Sequence, residues 1–377
     1  MLYFLLNIVF FLFLIATLVQ FGYWILVFSK LIFYKKNQKN IVPNETKSAT
    51  PVSVVICAHN EEKKLQLNLY RILTQCYHSF EVIVVDDHSV DNSLSILYEL
   101  QKKFSYLRII KNTYIKNNVG KKEALALGIS AAKHDILLLT DADCIPDSEF
   151  WIRDMMAALD TGKKMVLGFS PYQKIDDQSV NIWIRFEAIY TALQYMSFAI
   201  CKIPYMGVGR NLLYHKDLYI KNNGFEAHRN IASGDDDLFV NAAANAQNVA
   251  ISLAPNTFVT SAPKETWGAY IRQKRRHFTT GKHYKLGHQL LLAALAASHC
   301  GHYGGAFILL LSGSHIELIV LIYLARLMLV TIGYNFVFQR FQDPSLRFWT
   351  PILDLGLALY YAILSPAIWI GNNRTWN

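Results

Sequence analysis

The sequence has few cysteines, and their positions exclude two common kinds of site. Its 377 residues include five cysteines, and no two of them have CxxC spacing. An odd number of scattered cysteines supports neither a zinc site nor a disulfide framework, so we interpret them as reduced thiols. The sequence also lacks internal repeats and a recognised nucleic-acid-binding module. Despite a formal net charge of +9, we therefore expect no nucleic-acid partner.

Apolar residues are abundant instead. They make up 53% of the chain, and the mean hydropathy is +0.19, which is high for a soluble enzyme. Residues 1–29 are almost continuously apolar and can span a bilayer. They lack the charged start and the Ala-x-Ala exit of a cleaved signal peptide, so we expect a retained anchor. Lysines follow this anchor, in the basic linker at 30–50, and none precede it. The positive-inside rule then predicts that the N-terminus is outside and that the next domain is cytoplasmic.

The chain becomes apolar again at residues 285–377, which we interpret as a C-terminal membrane domain. A hydrophobic soluble bundle is the alternative, but the apolar runs are too long for it. Arg340 and Arg347 flank the later loop, whereas the turn near Gly313 has no basic residue, which again favours a cytoplasmic domain. The candidate spans lie at about 287–312, 315–338 and 348–370.

Residues 51–284, between the membrane segments, have the pattern of an α/β domain. Short apolar runs alternate with longer helical segments, which predicts βαβ units and a mainly parallel sheet. Such a sheet places its ligand site at the carboxyl ends of its strands. Acidic residues stand at two of these ends, Asp86-Asp87 and Asp141-Ala142-Asp143.

The second acidic pair is the sharpest feature of the sequence. Asp141 and Asp143 follow the apolar run Ile-Leu-Leu-Leu-Thr, and their i, i+2 spacing points both carboxylates the same way. Two such carboxylates can share one hard cation, Mg²⁺ or Mn²⁺, together with phosphate oxygens and water. An acidic turn ahead of Pro146 is the structural alternative.

Three weaker signals accompany this pair. The first predicted strand opens into the polar turn 57–62, which can contact a nucleotide or can merely be capped by Asn60. Asp87 can accept a hydrogen bond from a base, or can cap the helix that begins near Ser93. Lys121 stands at a helix start, where it can bind phosphate or be solvated.

Three adjacent aspartates, Asp235, Asp236 and Asp237, precede an apolar helix. Their mutual repulsion predicts a raised pKa for at least one of them if they are partly buried, which suits a general base. The alternative is a helix first turn enriched in aspartate by the helix dipole, which explains one aspartate better than three.

A basic stretch, 272–277, follows Trp267 and Tyr270. A departing diphosphate needs such cations, and the aromatic rings can stack on a sugar. A juxtamembrane belt that contacts anionic lipid is the alternative, and both can hold together. The aromatic segment 176–203 is interpreted either as an interfacial helix near the acceptor or as a core helix. No catalytic role is assigned to the ionisable residues within the predicted spans.

These motifs, in this order, resemble those of glycosyltransferase family 2, whose members are inverting enzymes with a Rossmann-like GT-A fold. The resemblance covers about residues 52–284, and the membrane helices are arranged as in the cellulose and hyaluronan synthases. It implies an α/β GT-A domain with one N-terminal and about three C-terminal transmembrane helices. His277 stands where the family's Q-x-x-R-W motif has tryptophan, which weighs against a polymer channel built on that ring.

The resemblance also implies roles for individual residues. Asp236 would be the catalytic base beside Asp235, and Asp141 and Asp143 would hold the metal. The residues implied to bind the donor nucleotide are Cys57, His59, Glu61, Asp87, Lys121 and Asp141. Those implied to bind the leaving group are Gln273, Arg275 and Arg276. Those of the acceptor loop are Gly207, Gly209, Arg210 and Asn211.

The function expected from this resemblance is transfer of a sugar from a nucleotide-sugar, preferably a uridine one, to a lipid-linked or membrane-proximal glycan acceptor. The expected location is the bacterial inner (plasma) membrane. Two alternatives stay open: a processive polysaccharide synthase that extrudes its product, and a catalytically silent scaffold that retains the fold.

Overall fold

The computed structural model describes residues 1–35, 50–114, 121–159 and 162–366. Most of the predicted linker at 30–50 and the end of the last predicted span lie outside the described residues. The strands are β1 Val52–Ala58, β2 Phe80–Asp86, β3 Leu107–Lys111, β4 Ile136–Asp141, β5 Cys144–Pro146, β6 Met165–Leu167, β7 Leu212–His215, β8 Val249–Ile251 and β9 Val259–Ser261. The helices are α1 Leu2–Gly22, α2 Ser29–Ile32, α3 Glu62–Leu73, α4 Ser93–Lys103, α5 Lys122–Ala131, α6 Trp151–Ala158, α7 Ser179–Ile200, α8 Lys216–Lys221, α9 Asp237–Ala243, α10 Trp267–Phe278, α11 Leu286–Ser312, α12 Ile316–Arg340 and α13 Thr350–Leu364.

The main sheet has seven strands in the order β3-β2-β1-β4-β7-β6-β8. Strands β3, β2, β1 and β4 are parallel, β7 is antiparallel to both neighbours, and β6 pairs in parallel with β8. All residues of β1 are buried, as expected for a central parallel strand covered by helices on both faces. Helix α5 approaches this strand so closely that a Cβ at Gly128 would lie 2.5 Å from Val55 Cγ1. The mainly parallel α/β sheet predicted from the sequence is confirmed.

Three helices are long and apolar enough to cross a membrane. The first is continuous from Leu2 to Ile32, through a π-helical turn at Tyr23–Phe28, and the others are α11 and α12. Helix α13 has 15 residues and begins within the predicted span 348–370, whose last residues lie outside the described chain. One N-terminal and two C-terminal candidate spans are therefore present among the described residues.

Helix α7 joins the sheet to the membrane helices. Its side chains are buried along most of its length, and the ring of Phe186 packs at a tilt against Tyr334 of α12, with centroids 5.4 Å apart. A Cβ at Gly356 of α13 would lie 2.6 Å from the ring of Trp183, so a glycine is needed at that contact. Of the two interpretations of this segment, the burial favours a core helix, although part of α7 also faces the cavity described below.

A polar cluster ties the membrane helices together. Arg326 of α12 is ion-paired with Asp354 of α13, and Tyr303 of α11 donates a hydrogen bond to Asp354 Oδ2 at 2.6 Å. Arg326 also donates a hydrogen bond to Gln20 Oε1 of α1 at 3.0 Å. We call Gln20, Tyr303, Arg326 and Asp354 the membrane cluster. Each of the four helices contributes one polar group, so the cluster fixes how they pack.

Candidate active site

A cavity of about 1240 Å³ opens at the carboxyl ends of β1 and β4. The two strands are parallel neighbours with Cys57 opposite Asp141, which brings their acidic tips to one edge of the sheet. From there the cavity continues past α9 and α10 and then between α7, α11 and α13. Predicted site residues that line it are Cys57, His59, Glu61, Lys121, Asp141, Asp143, Arg210, Asp235, Asp236, Gln273 and Arg276.

Two carboxylates and a thiol form a possible metal site at the sheet end of this cavity. Ligand atoms of Asp141, Asp143 and Cys144 all lie within 4.8 Å of one another. The two carboxylates are partly exposed to the cavity, and hard oxygen ligands of this kind suit Mg²⁺ or Mn²⁺. A cation already faces them, because Lys121 Nζ lies 2.7 Å from Asp141 Oδ1. The donor set therefore fits a divalent cation at this position.

Lys121 also connects the two acidic motifs. Its ammonium lies 2.7 Å from Asp141 and 3.1 Å from Asp235, which are far apart in the chain. Burial by itself disfavours the charged ammonium, but the two carboxylates outweigh it and raise the pKa of Lys121. The lysine is therefore a fixed cation between the aspartate triplet and the strand end Asp141-x-Asp143, which we call the DxD motif.

Asp236 lines the cavity, and backbone amides hold both of its carboxylate oxygens. Its Oδ2 accepts a hydrogen bond from the Gly209 amide at 2.8 Å, and its Oδ1 accepts from the Asp237 amide at 2.7 Å. Burial, and then the charges of Asp235 and Asp237, raise the pKa of Asp236 to about 7. The raised pKa expected for the triplet is therefore present, and it falls on a carboxylate that faces the cavity.

The other two aspartates are held by different partners. Asp237 accepts hydrogen bonds from Thr280 Oγ1 at 2.5 Å and from the Tyr284 hydroxyl at 2.7 Å, which joins α9 to the segment after α10. Burial raises the pKa of this carboxyl. Asp235 is buried beside Lys121. Burial alone would raise its pKa, but the lysine reverses the effect and lowers it. The three neighbouring carboxylates are thus chemically distinct.

Helix α10 presents only part of its basic stretch to the cavity. Gln273, Arg276 and His277 line it, whereas Arg275 is exposed and is not among the lining residues. The physical reason is helical geometry, since consecutive residues point about 100° apart. The predicted leaving-group role of Arg275 therefore has no support from its placement. Desolvation of the imidazolium, and then the charges of Lys274 and Arg276, lower the pKa of His277.

Two functional candidates were missed in the sequence. Glu187 of α7 and Lys274 of α10 form a buried ion pair of 2.5 Å in the cavity wall. Glu187 also accepts a hydrogen bond from Thr191 at 3.0 Å. The available signal was the presence of two charged residues, Arg185 and Glu187, in a mostly apolar segment, because a buried charge requires a partner.

The predicted acceptor loop is divided by the structure. Arg210 lines the cavity with its guanidinium 4.4 Å from the centroid of the Tyr172 ring, and Gly209 contacts Asp236. Asn211 instead lies in the interior, where its Nδ2 donates to the carbonyls of Phe169 and Thr257 at 2.7 Å each.

Gly207 is also an interior residue, because a Cβ there would lie 3.0 Å from Leu167 Cδ2. Gly207 and Asn211 thus do not line the cavity, and their predicted acceptor role stays a prediction. Both residues shape the loop from behind instead of facing the cavity.

Asp87 lies behind the cavity wall. Its carboxylate accepts from Asn112 Nδ2 at 2.7 Å and pairs with His88 Nδ1 at 3.0 Å. Its backbone oxygen lies 2.6 Å from Nδ1 of His59, which does line the cavity. Asp87 therefore does not line the cavity but contacts His59, which does. Its predicted contact with a base stays a prediction.

The mainly parallel sheet with acidic strand ends is a GT-A-like fold, and comparison with known proteins agrees. Residues 53–221 match the family described as Glycosyl transferase family 2. A poly-β-1,6-N-acetyl-D-glucosamine synthase of Staphylococcus epidermidis is 29% identical over 130 residues, covering 34% of this chain and 31% of the relative. An uncharacterized glycosyltransferase of Haemophilus influenzae is 33% identical over 109 residues, covering 29% of this chain and 32% of that protein. The matches thus span about a third of the length of these relatives.

A solved structure shows the same fold over nearly the whole chain. The mannosyltransferase PcManGT from Pyrobaculum calidifontis, in complex with GDP-Man and Mn²⁺, matches with a TM-score of 0.59 and 19% identity. The match covers 96% of this chain and all of that one. Residues 53–221 of this chain are therefore similar to that family, and the solved structure supports the fold.

Proposed function

We propose that this protein is a membrane-bound, inverting glycosyltransferase that moves a sugar from a nucleotide-sugar donor to an acceptor hydroxyl at the membrane. The observation that carries the proposal is one shared cavity. It contains the DxD carboxylates, the fixed cation Lys121 and the base candidate Asp236, and it continues between membrane helices. Relatives named for poly-N-acetyl-D-glucosamine support an N-acetylglucosamine donor as the first to test, with uridine as the expected base.

The chemistry of this chain is a single displacement. Asp236 accepts the proton of the acceptor hydroxyl as that oxygen attacks the anomeric carbon. The bond from the anomeric carbon to the diphosphate oxygen breaks, and the nucleoside diphosphate leaves with the bonding electrons. Lys121 and Arg276 stabilise the negative charge of the leaving group. Attack opposite to the leaving group inverts the anomeric configuration.

Asp141 and Asp143 are the proposed ligands of a divalent cation, and Mn²⁺ is bound in the mannosyltransferase structure of the same fold. When bound, such a cation would neutralise the negative charge that develops on the diphosphate. Lys121 holds Asp141 from the other side and keeps that carboxylate in place.

The acceptor is proposed to enter from the membrane side. There the cavity is bounded by Ala293, Ala296 and Ala297 of α11 and by Tyr360 and Tyr361 of α13. Small apolar residues on one side and aromatic rings on the other suit the chain of a lipid or the faces of a sugar. A lipid-linked or membrane-proximal glycan acceptor fits both the surface and its position beside the candidate span α11.

A donor screen tests the proposal. Detergent-purified full-length protein is incubated with UDP-N-acetylglucosamine, other UDP-sugars and GDP-mannose, with Mn²⁺, Mg²⁺ or EDTA, in the presence of membrane lipid extract. We expect metal-dependent release of nucleoside diphosphate from one donor, and loss of that release in EDTA. Release that is equal in EDTA would contradict the metal site, and no release from any donor would contradict the activity.

A processive polysaccharide synthase is the second candidate, because the cavity runs into the membrane domain and the relatives include a polymer synthase. Electrophoresis of radiolabelled product separates the two candidates. A single discrete lipid-soluble band supports one transfer, whereas a ladder of long products supports polymerisation.

We further propose that the catalytic domain is cytoplasmic and the N-terminus outside. Cys76 is exposed on the catalytic domain and reports its side of the membrane. In intact spheroplasts a membrane-impermeant maleimide should leave Cys76 unlabelled, and detergent should make it reactive. Labelling of Cys76 in intact spheroplasts, absent in a C76S control, would contradict this topology and place the catalytic domain outside.

A further inference from the structure

Lys122 is a buried lysine that lies next to the site but outside the cavity lining. Its Nζ donates hydrogen bonds to three backbone carbonyls, those of His228 at 2.7 Å, Ile231 at 2.7 Å and Ser233 at 2.8 Å. Only 4% of the residue is exposed. An ammonium has three N–H donors, so all of its hydrogen-bonding capacity is used on one short segment.

That segment, residues 228–234, leads directly into the aspartate triplet. It ends at Gly234, whose φ of +98° lies in the region that favours glycine. A Cβ at Gly234 would also lie 2.4 Å from Leu238 Cδ1. The chain therefore makes a constrained turn between the last carbonyl held by Lys122 and the carboxylate of Asp235.

Apart from these three hydrogen bonds, the position of Lys122 is unfavourable for a positive charge. It is in the first turn of α5, where the helix dipole disfavours a positive charge, and burial removes its hydration. Burial also lowers the pKa of Lys122 to about 8, although nearby Asp235 and Asp237 oppose the shift. Three charge-assisted hydrogen bonds offset these costs.

We infer that Lys122 is a positioning residue that fixes the segment 228–234 and thereby places Asp235 and Asp236 in the cavity. Its neighbour Lys121 holds the Asp235 carboxylate at 3.1 Å, so the start of α5 grips both the backbone and the side chains of this region. The inference rests on the proposed role of Asp236 as the base. It assigns the Lys-Lys pair two different tasks, one toward carboxylates and one toward the backbone.

Hydrogen exchange of the K122M variant tests the contact without any substrate. Methionine has a similar unbranched shape but no donor, which leaves the three carbonyls unsatisfied. We expect amides of peptides covering 228–238 to exchange at least about tenfold faster than in the wild type, because the local opening equilibrium shifts. Peptides from β1 should be unchanged. K216M is the matched control, since Lys216 Nζ donates to the single carbonyl of Ala132 at 2.9 Å, away from the cavity.

Kinetics then test the consequence for the base. In K122M we expect kcat to fall about 10²-fold, as for a reacting group displaced by roughly 1 Å. The Kd for nucleoside diphosphate with Mn²⁺ should change less than about threefold, because uniform binding is untouched. K122R retains charge and donors and should recover at least half of the lost exchange protection and rate. K216M should keep the wild-type values.

Each result decides the inference. Unchanged exchange of 228–238 in K122M, or faster exchange with an unchanged kcat, would overturn it. A Kd that rises in step with the loss of rate would also overturn it, because the lysine would then act on binding. If K122M does not fold, K122Q replaces it, with the same expectations. A wild-type protein that releases no nucleoside diphosphate would refute the proposed function, while the exchange experiment would still decide whether Lys122 holds the segment.

Discussion

Two groups of buried charges lie in different parts of this molecule, and they differ in whether their charged side chains face a cavity. In the membrane cluster, Arg326 and Asp354 are at most 1% exposed, and hydrogen bonds from Tyr303 and to Gln20 close the group. In the cavity, Lys121 holds Asp141 and Asp235, but Asp143 and Asp236 still face open space. We call Lys121, Asp141, Asp143, Asp235 and Asp236 the cavity cluster.

The comparison shows that burial of charge alone does not mark a reactive site. Ionisable groups inside a membrane are functional candidates by default. Here Arg326 and Asp354 are paired with each other and with groups on two further helices, which is what a structural tie requires. The cavity cluster retains carboxylate oxygens that accept from backbone amides yet remain accessible. Access to the cavity, more than burial, distinguishes the two clusters.

The largest effect is expected for D236N. An asparagine keeps the size of the side chain but cannot accept a proton, so the base is removed. We expect kcat to fall about 10²- to 10⁴-fold, the usual contribution of a positioned general base. Initial rates of nucleoside diphosphate release measure this change, and calorimetry should show donor binding within about threefold of wild type.

The matched control is D217N. Asp217 is ion-paired with Lys164 and Lys221 and does not line the cavity. It should retain the wild-type rate. A D236N protein with full turnover would remove Asp236 from the reaction and would leave the cavity cluster without a base.

The second prediction concerns the membrane cluster. D354N leaves the Arg326 guanidinium buried without a counter-charge, and breaking such a pair costs about 3–5 kcal/mol of stability. Thermal unfolding in detergent should therefore show a clear fall in Tm. The activity of the protein that remains folded should be within about twofold of wild type.

The double variant R326M/D354L removes both charges and should recover most of this loss, because apolar replacement of a buried pair is often neutral. A wild-type Tm in D354N would contradict the structural role of the pair. If activity were lost at that Tm, the membrane cluster would share the functional role proposed for the cavity cluster.

Much of the cavity cluster was predictable because a parallel sheet has a directional edge. Once Asp141 and Cys57 are placed at the ends of adjacent parallel strands, their meeting follows from strand pairing. The alternation of apolar runs and helical segments also predicted the sheet. The long apolar runs predicted α1, α11 and α12.

The remaining features depend on contacts between distant parts of the chain. No local pattern shows that Asn211 turns inward to Phe169 and Thr257, or that Glu187 meets Lys274. Asp354 was overlooked because one aspartate in an apolar segment does not reveal its partner on another helix. Periodicity indicates which residues are buried, but the partner of a buried polar group is decided by tertiary packing.

The third prediction compares two adjacent arginines of α10. R276Q removes a cation from the cavity wall, and loss of a charged hydrogen-bond donor to diphosphate costs about 1.5–3 kcal/mol, or roughly 10- to 100-fold in kcat/KM. R275Q removes an exposed charge outside the lining and should stay within about twofold. Steady-state kinetics of both variants measure the contrast. Equal losses would show that the direction of the side chain from α10 is not what decides the role.

The smallest effect is a dependence on pH that only the open cluster should produce. The pKa of Asp236 is raised to about 7, so below that pH the carboxyl is protonated and cannot accept the acceptor's proton. We therefore expect kcat/KM, which reports the free enzyme, to rise with pH with a midpoint near 7 and to be about tenfold lower at pH 6 than on the plateau. Measured across the same range, the Kd for the nucleotide-sugar donor should stay nearly constant, since its diphosphate diester and Lys121 both keep their charge. A kcat/KM profile that follows only the pH dependence of the donor Kd would assign the titration to the donor contacts, and Asp236 would then no longer be distinguished from its two neighbours.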